Sequence, residues 1–467
     1  MQPNSLQCCL CIIILSGLPR ASAETPRFTT VEEARPILTA MREVLPEGLA
    51  GLPDERLAAT WPAWVRERDR AVRQRLVRGE EDGVVNLLYF GTSFTTAPRL
   101  TAEGLRALGQ KDAEATLARR LADLASALVK PGGDERLALA RSLARKASPA
   151  GRFDAAAVEH WLLQNVARVR REQAAFADAL ARIRAVPDAS EQLARRSTLF
   201  SDRGIALDTS LRPAFALDEA LRDALERGLL AAGSVRRVAV VGPGLDFVDK
   251  AEGQDFYSPQ SMQSLALADS LVRLGLSRAG SLAITAFDIS PRVLDHLARG
   301  RTAAAAGEGY VLQLPRPREG WAAPFEAYWR RFGDAVAEPA EAAKPPLSAG
   351  PLEVRAVRVR PEFAASVRPV DLNVVYQRLE LPPAERFDLV VATNILVYYD
   401  TFEQCLALAN VARMTAVGGL LLSNNVVLEL PDSPLRSVGY KTIVFSDRPD
   451  DGEHVIYYRR LPETRVR

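Results

Sequence analysis

An apolar run that stops at two closely spaced glycines constrains this chain more than any other feature. Arg236 to Val241 is rich in valine and leads into Gly242-Pro-Gly244, with Asp246 just beyond. Such a run reads as a buried parallel strand followed by a tight turn, where glycine lets a ligand approach the backbone closely. A second apolar run, Leu282 to Asp288, ends in a carboxylate, and a third, Phe387 to Asn394, ends in polar residues. Three strands with functional groups at their carboxyl ends predict an open α/β sheet with a nucleotide-type pocket along those ends.

The turn narrows the choice of ligand. A dinucleotide-binding turn has the form G-x-G-x-x-G, and Phe247 stands here in the place of the third glycine. A ring at that position obstructs the close packing of helix on strand that glycine permits. No Gly-Lys-Ser/Thr follows, which excludes a P-loop. The expected ligand is therefore a nucleoside without a pyrophosphate, and a nicotinamide-dependent oxidoreductase is disfavoured.

The remaining sequence suggests a layered organisation. The length of 467 residues predicts two to three domains. Residues 24–195 read as a helical domain: Leu162, Val166, Val169, Phe176, Leu180 and Ile183 recur at helical spacing on one face. Such helices pack on one another or on the C-terminal part, because the heptad is not sustained as a coiled coil requires. Val84 to Thr95 departs from this pattern and reads as a strand entering a Gly-Thr-Ser turn. Ser93 lacks a histidine in an evident partner motif, so the turn is structural. Residues 196–467 carry the α/β pattern, with a helix over 217–231, a Pro/Ala-rich insertion over 311–350 and a terminal antiparallel hairpin. The aromatics Trp321, Phe325, Tyr328 and Trp329 fit a short helix inside the insertion, packing locally.

The N-terminus and composition bound compartment and partners. Cys8 to Leu18 is a short apolar block followed by Ala21-Ser-Ala23. Residues 1–23 thus read as a secretory signal peptide, although Met1 to Gln7 has no Lys or Arg. A functional signal implies a periplasmic or secreted protein; otherwise the protein is cytoplasmic. Four cysteines occur, and cleavage would leave only Cys405, which rules out an intramolecular disulfide. The three histidines show no metal-ligand spacing, so no metal is expected. A net charge of +2 gives no bulk attraction to nucleic acid. No internal run reaches the roughly 18 apolar residues of a membrane span, so the mature chain is expected to have no transmembrane helix.

The ordered set of motifs resembles the class I S-adenosylmethionine-dependent methyltransferases, over about residues 197 to 460. Gly242-Pro-Gly244 resembles the first motif, Asp288 the acidic second, and Phe387 to Asp400 the fourth. Gly418 to Ser423 resembles the fifth strand, and the terminal hairpin resembles the family's reversed last strand. Within the class, Asn394-Ile-Leu-Val-Tyr398-Tyr-Asp400 is most similar to the CheR-type protein-glutamate methyltransferases. The resemblance implies a Rossmann-like fold and S-adenosylmethionine as cofactor. It places Gly242, Gly244, Asp246, Asp288, Asp371, Leu372 and Asn394 at the cofactor, with Asn394 and Tyr398 beside the methyl acceptor. Asp288 would accept ribose hydroxyls, helix N-capping being its alternative role. Asp371 would accept the adenine amine or else be an exposed loop residue. Tyr398 would face the acceptor or pack the sheet edge. Phe200-Ser-Asp-Arg203 differs in spacing from the Phe-Phe-Arg motif of the receptor enzymes, and Arg203 reads as a structural salt bridge.

Methyl transfer asks little acid or base chemistry of a protein. Positioning alone contributes roughly 7–11 kcal/mol to such a displacement. With no histidine placed as a base, a carboxylate or an activated small molecule is the favoured acceptor. The alternative is a non-catalytic binding or scaffold protein on the same fold, since an exported enzyme would lack its methyl donor. Both readings stand on the sequence alone.

Overall fold

The computed structural model describes residues 25–462, apart from 149–152, 189–190, 193–194, 196–197, 201–202, 249–251 and 449. The segment expected to be a signal peptide, with Cys8, Cys9 and Cys11, lies outside the described residues.

The strand-like runs of the C-terminal half assemble into one seven-stranded sheet. Numbering only its members, these are β1 (Arg237–Val241), β2 (Ala283–Asp288), β3 (Val367–Asp371), β4 (Phe387–Ala392), β5 (Thr415–Ser423), β6 (Leu435–Val444) and β7 (Gly452–Arg460). They lie in the order β6-β7-β5-β4-β1-β2-β3. The pairs from β5 to β3 are all parallel, and β7 alone runs against its neighbours. This is the expected class I methyltransferase-like, Rossmann-like fold with a reversed strand in its terminal hairpin. The near-continuous valine, leucine and alanine runs of β1 and β4 follow from burial on both faces. Helices Leu211–Glu226 and Gln263–Arg273 cover one face. The chain winds from β1 to β3 on one side, then returns to lay β4 beside β1. A crevice therefore opens at the carboxyl ends of β1 and β4, where the winding direction changes.

The N-terminal helices are α1 (Val31–Ala40), α2 (Asp54–Phe90), α3 (Ala102–Val129), α4 (Glu135–Ala147) and α5 (Ala155–Arg184). At 1.5 Å per residue α2 is about 55 Å long, and its two halves serve different cores. Trp61, Trp64, Val65, Val72 and Leu76 pack with helix Thr401–Met414 on the second face of the sheet. Val84, Val85, Leu87 and Leu88 pack among α3, α4 and α5 in a separate cluster that also takes in Phe247. The helices thus pack both on one another and on the sheet.

Val84 to Phe90, expected as a strand, is the last part of α2. Burial among three helices outweighs the β preference of valine, tyrosine and phenylalanine. The helix expected over 217–231 starts earlier and ends at Glu226. The Pro/Ala-rich insertion is a folded unit. Strands Tyr310–Pro317, Leu352–Val359 and Ala337–Ala340 form a three-stranded antiparallel sheet beside helix Ala323–Arg331. Its aromatics, expected to pack locally, also join the main core, with Trp321 stacked on Phe325 at 3.9 Å and Phe325 stacked at 4.8 Å on Phe215 of helix Leu211–Glu226. No helix among the described residues is long and apolar enough to cross a membrane.

Candidate functional site

A cavity of about 510 Å³ occupies the crevice. Four strand tips supply its floor: Val241 to Gly244 after β1, Asp288 on β2, Thr393 and Asn394 after β4, and Asn424 and Asn425 after β5. Phe200 and the run Ile205 to Thr209 form an opposing wall. Gly242 and Gly244 both have left-handed φ, 65° and 72°. The close approaches they permit come from the protein itself. A Cβ on Gly242 would lie 2.1 Å from Ile395 Cδ1, and one on Gly244 would lie 2.6 Å from the Leu207 carbonyl oxygen. That carbonyl accepts from Leu245 N at 2.8 Å, joining the wall to the turn.

Asp288 is buried at the tip of β2 and lines the cavity. Its carboxylate accepts from Ser290 N at 2.8 Å and from the Gly244 and Ile289 amides. Burial nevertheless raises its pKa to about 6. Ser290, not Asp288, caps helix Pro291–Ala305. Leu372 lies in the lining beside Ile289 and Phe287, forming an apolar shelf.

Asn394 is the only non-glycine residue with positive φ among the described residues, at 60°. Such backbone strain persists only where the surroundings impose it. Here Asn394 N donates to Asn424 Oδ1 at 2.8 Å, and Asn424 Nδ2 donates back to Asn394 Oδ1 at 2.7 Å. The backbone N–H fixes which way the Asn424 amide points, and this in turn fixes Asn394. Asn394 therefore uses its side-chain oxygen internally and keeps its Nδ2 for donation. Glu453 Oε2 accepts from Asn424 Nδ2 at 3.3 Å, and burial raises the pKa of this carboxyl. Tyr398 lines the cavity, and its hydroxyl accepts from Ala206 N at 3.2 Å.

Two expected cofactor residues stand outside the lining. Asp246 is buried against Arg136 at 3.1 Å and accepts from Gln260 N at 2.8 Å. Burial raises its pKa to about 7, against the pull of Arg136. Asp371, at the tip of β3, is half exposed and paired with Arg73 at 2.7 Å. Arg203 also lies outside the lining, its guanidinium over the rings of Phe176 and Phe200 at 5.7 Å. Thr92 N and Ser93 N donate to the Asp255 carboxylate, so the Gly-Thr-Ser turn is structural.

Several lining residues went unread in the sequence. Asn424 and Asn425 follow β5 as Asn394 follows β4, so the rule of polar residues at strand tips would have found them. Asp208 sits in the wall with no such signal; its Oδ1 accepts from Phe247 N at 2.7 Å.

No family model and no curated protein matches this chain. Among solved structures, the N-methyltransferase NodS from Bradyrhizobium japonicum WM9 is 13% identical, over 53% of this chain and 97% of that one, with a TM-score of 0.25. Magnesium protoporphyrin IX methyltransferase (ChlM) from Synechocystis PCC 6803, with bound SAM, is 11% identical over 61% and 90%, with a TM-score of 0.26. Likeness at this level adds nothing to what the strand order establishes.

The lining fits S-adenosylmethionine on its own terms. Asp208 and Asp288 are the ionisable acids of the described lining, which contains no Lys, Arg or His. An electronegative, partly apolar cavity with an acidic strand tip suits a ligand that carries ribose hydroxyls, a flat base and positive charge.

Proposed function

We propose that the protein transfers a methyl group from S-adenosylmethionine to a carboxylate. The observation that carries the cofactor half of the reading is the cavity at the switch point, acidic at Asp208 and Asp288 and free of basic side chains among its described lining. Asp288 would hold the ribose hydroxyls, Leu372 and Ile289 would flank the adenine, and Gly242 to Gly244 would border the methionine part. Bound there, S-adenosylmethionine supplies an electrophilic methyl on a sulfonium, which departs as a neutral thioether when an acceptor oxygen's lone pair takes the methyl. The residues of the chain bind and orient.

The acceptor class follows from Asn394. Its Oδ1 is turned to Asn424, which leaves the two N–H groups of Nδ2 to meet an acceptor. A donor there suits a carboxylate oxygen, and a carboxylate needs no base at neutral pH. Calorimetry on the full chain with S-adenosylmethionine tests the cofactor: one-to-one binding is expected, and no heat overturns the proposal. The acceptor class is tested with methyl-labelled cofactor and cell extract. Label released by alkali as methanol is the result expected of a methyl ester. Alkali-stable label contradicts a carboxylate acceptor, and cofactor binding without transfer points to a scaffold.

A further inference from the structure

A second groove, of about 410 Å³, opens directly off the cavity. The two share Phe200, Val397, Asn424 and Asn425 as a common wall. Phe176, Leu180 and Arg184 line it from α5 at four-residue spacing, one turn apart on a single helix face. Phe176 marks the end near the transfer site, since its ring lies 5.0 Å from Phe200, whose ring lies 6.2 Å from Tyr398. Arg184 is eight residues further along the helix, about 12 Å at 1.5 Å per residue.

Two observations give this groove an occupant. Its walls are mainly apolar, and Val426 stands 59% exposed at its edge. Among the described residues, Arg184 is the one charged side chain in its lining, and it has no ion pair. A volume of this size suits a small molecule.

We propose that this groove is the acceptor site, and that it takes an apolar small molecule with an anionic group distinct from the carboxylate that is methylated. The methylated end lies at Asn394, the apolar body lies along Phe176 and Leu180, and the second anion meets Arg184. The inference rests on the proposed methyl transfer for its placement at Asn394, but the groove can be tested without it.

Two fluorescent probes of the same shape separate the parts. 8-Anilinonaphthalene-1-sulfonate has an apolar body and an anion; N-phenyl-1-naphthylamine is its neutral counterpart. With the full chain, Arg184→Gln is expected to weaken the sulfonate probe about two- to five-fold, as for an exposed ion pair, and to leave the neutral probe unchanged. Leu180→Glu is expected to weaken both about ten-fold or more by removing apolar contact. Val426→Glu, on the opposite wall, serves if Leu180→Glu fails to fold. Ala409→Arg lines the other large surface groove, between α1 and helix Thr401–Met414, and should change neither. Unchanged binding of both probes in the Arg184 and Leu180 (or Val426) variants overturns the proposal, as does loss of binding only in Ala409→Arg. Normal S-adenosylmethionine binding beside that failure leaves the methyl-transfer reading standing. The expected probe pattern without cofactor binding sinks methyl transfer and leaves a ligand groove.

Discussion

The strand-tip cavity and the helical clamp beside it hold the same stretch of chain, the segment after β1, by opposite means. On the sheet side the grip is one of shape: Gly242 and Gly244 take left-handed φ, and Ile395 and the Leu207 carbonyl press into the space a Cβ would fill. On the helical side the grip is one of charge. Arg136 of α4 is fully buried and donates to the carbonyls of Phe247 and Tyr257 as well as to Asp246. Arg120 of α3, also fully buried, braces the helical unit behind it, donating to the carbonyls of Leu88, Gly91, Ala97 and Pro98 at the α2–α3 connection. Phe247 explains why both grips are needed. The turn is not followed at once by a helix, which starts only at Gln263, so the intervening loop must be fixed from outside. The shaped side should tolerate loss of charge better than added volume, and the clamp the reverse.

The largest effect should come from breaking the clamp. Arg136→Ala strands Asp246 and the carbonyls of Phe247, Gln254 and Tyr257 in a buried site, with an expected cost of about 3–5 kcal/mol in urea unfolding. A loss below about 1 kcal/mol would dissolve the contrast. On the shaped side, Gly244→Ala combines left-handed strain with a backbone clash and should cost at least about 2 kcal/mol. Gly242→Ala carries the same left-handed strain but meets only side-chain atoms of Ile395, Cδ1 and Cγ1, which can shift, and should cost less; the reverse ranking in the same unfolding assay contradicts the geometry.

Charge on the shaped side should matter for ligand more than for fold. Asp288→Asn is expected to weaken S-adenosylmethionine binding about 10- to 100-fold by calorimetry, the worth of hydrogen bonds to a charged group. The pKa of Asp288 is raised to about 6. Wild-type affinity should therefore fall as pH drops through 6 and the carboxylate takes up a proton, while Asp288→Asn stays flat. The same shift has the opposite sign for the ligand-free fold. Its stabilising contribution is present below the ordinary carboxylate range and is lost as pH rises through 6. Tyr398→Phe is the smallest change. It removes an acceptor from Ala206 N at an exposed position, and unfolding should shift by less than about 1 kcal/mol.

The sheet was legible because its strands are buried on both faces and so appear as unbroken apolar runs; β1, β2, β4 and β5 all follow from such runs. Gly242, Gly244, Asp288 and Asn394 were legible for a related reason, since turn and polar residues directly after such runs stand at strand tips. The clamp was not. A fully buried arginine such as Arg120 looks in sequence like any arginine on a solvated helix, and only tertiary contact shows that it serves four carbonyls. Val84 to Phe90 misled because its apolar residues face three helices at once, which erases the helical period. Asp246 and Asp371 sit near the tips in sequence, but Arg136 and Arg73 draw them to other work.

A crystal structure of the full chain grown with S-adenosylmethionine tests the central claim most directly. The account expects the cofactor in the crevice, with both ribose hydroxyls within hydrogen-bonding distance of Asp288, the adenine against Leu372 and the methyl directed towards Asn394. A crevice devoid of ligand in such crystals, or a cofactor bound elsewhere, would contradict it.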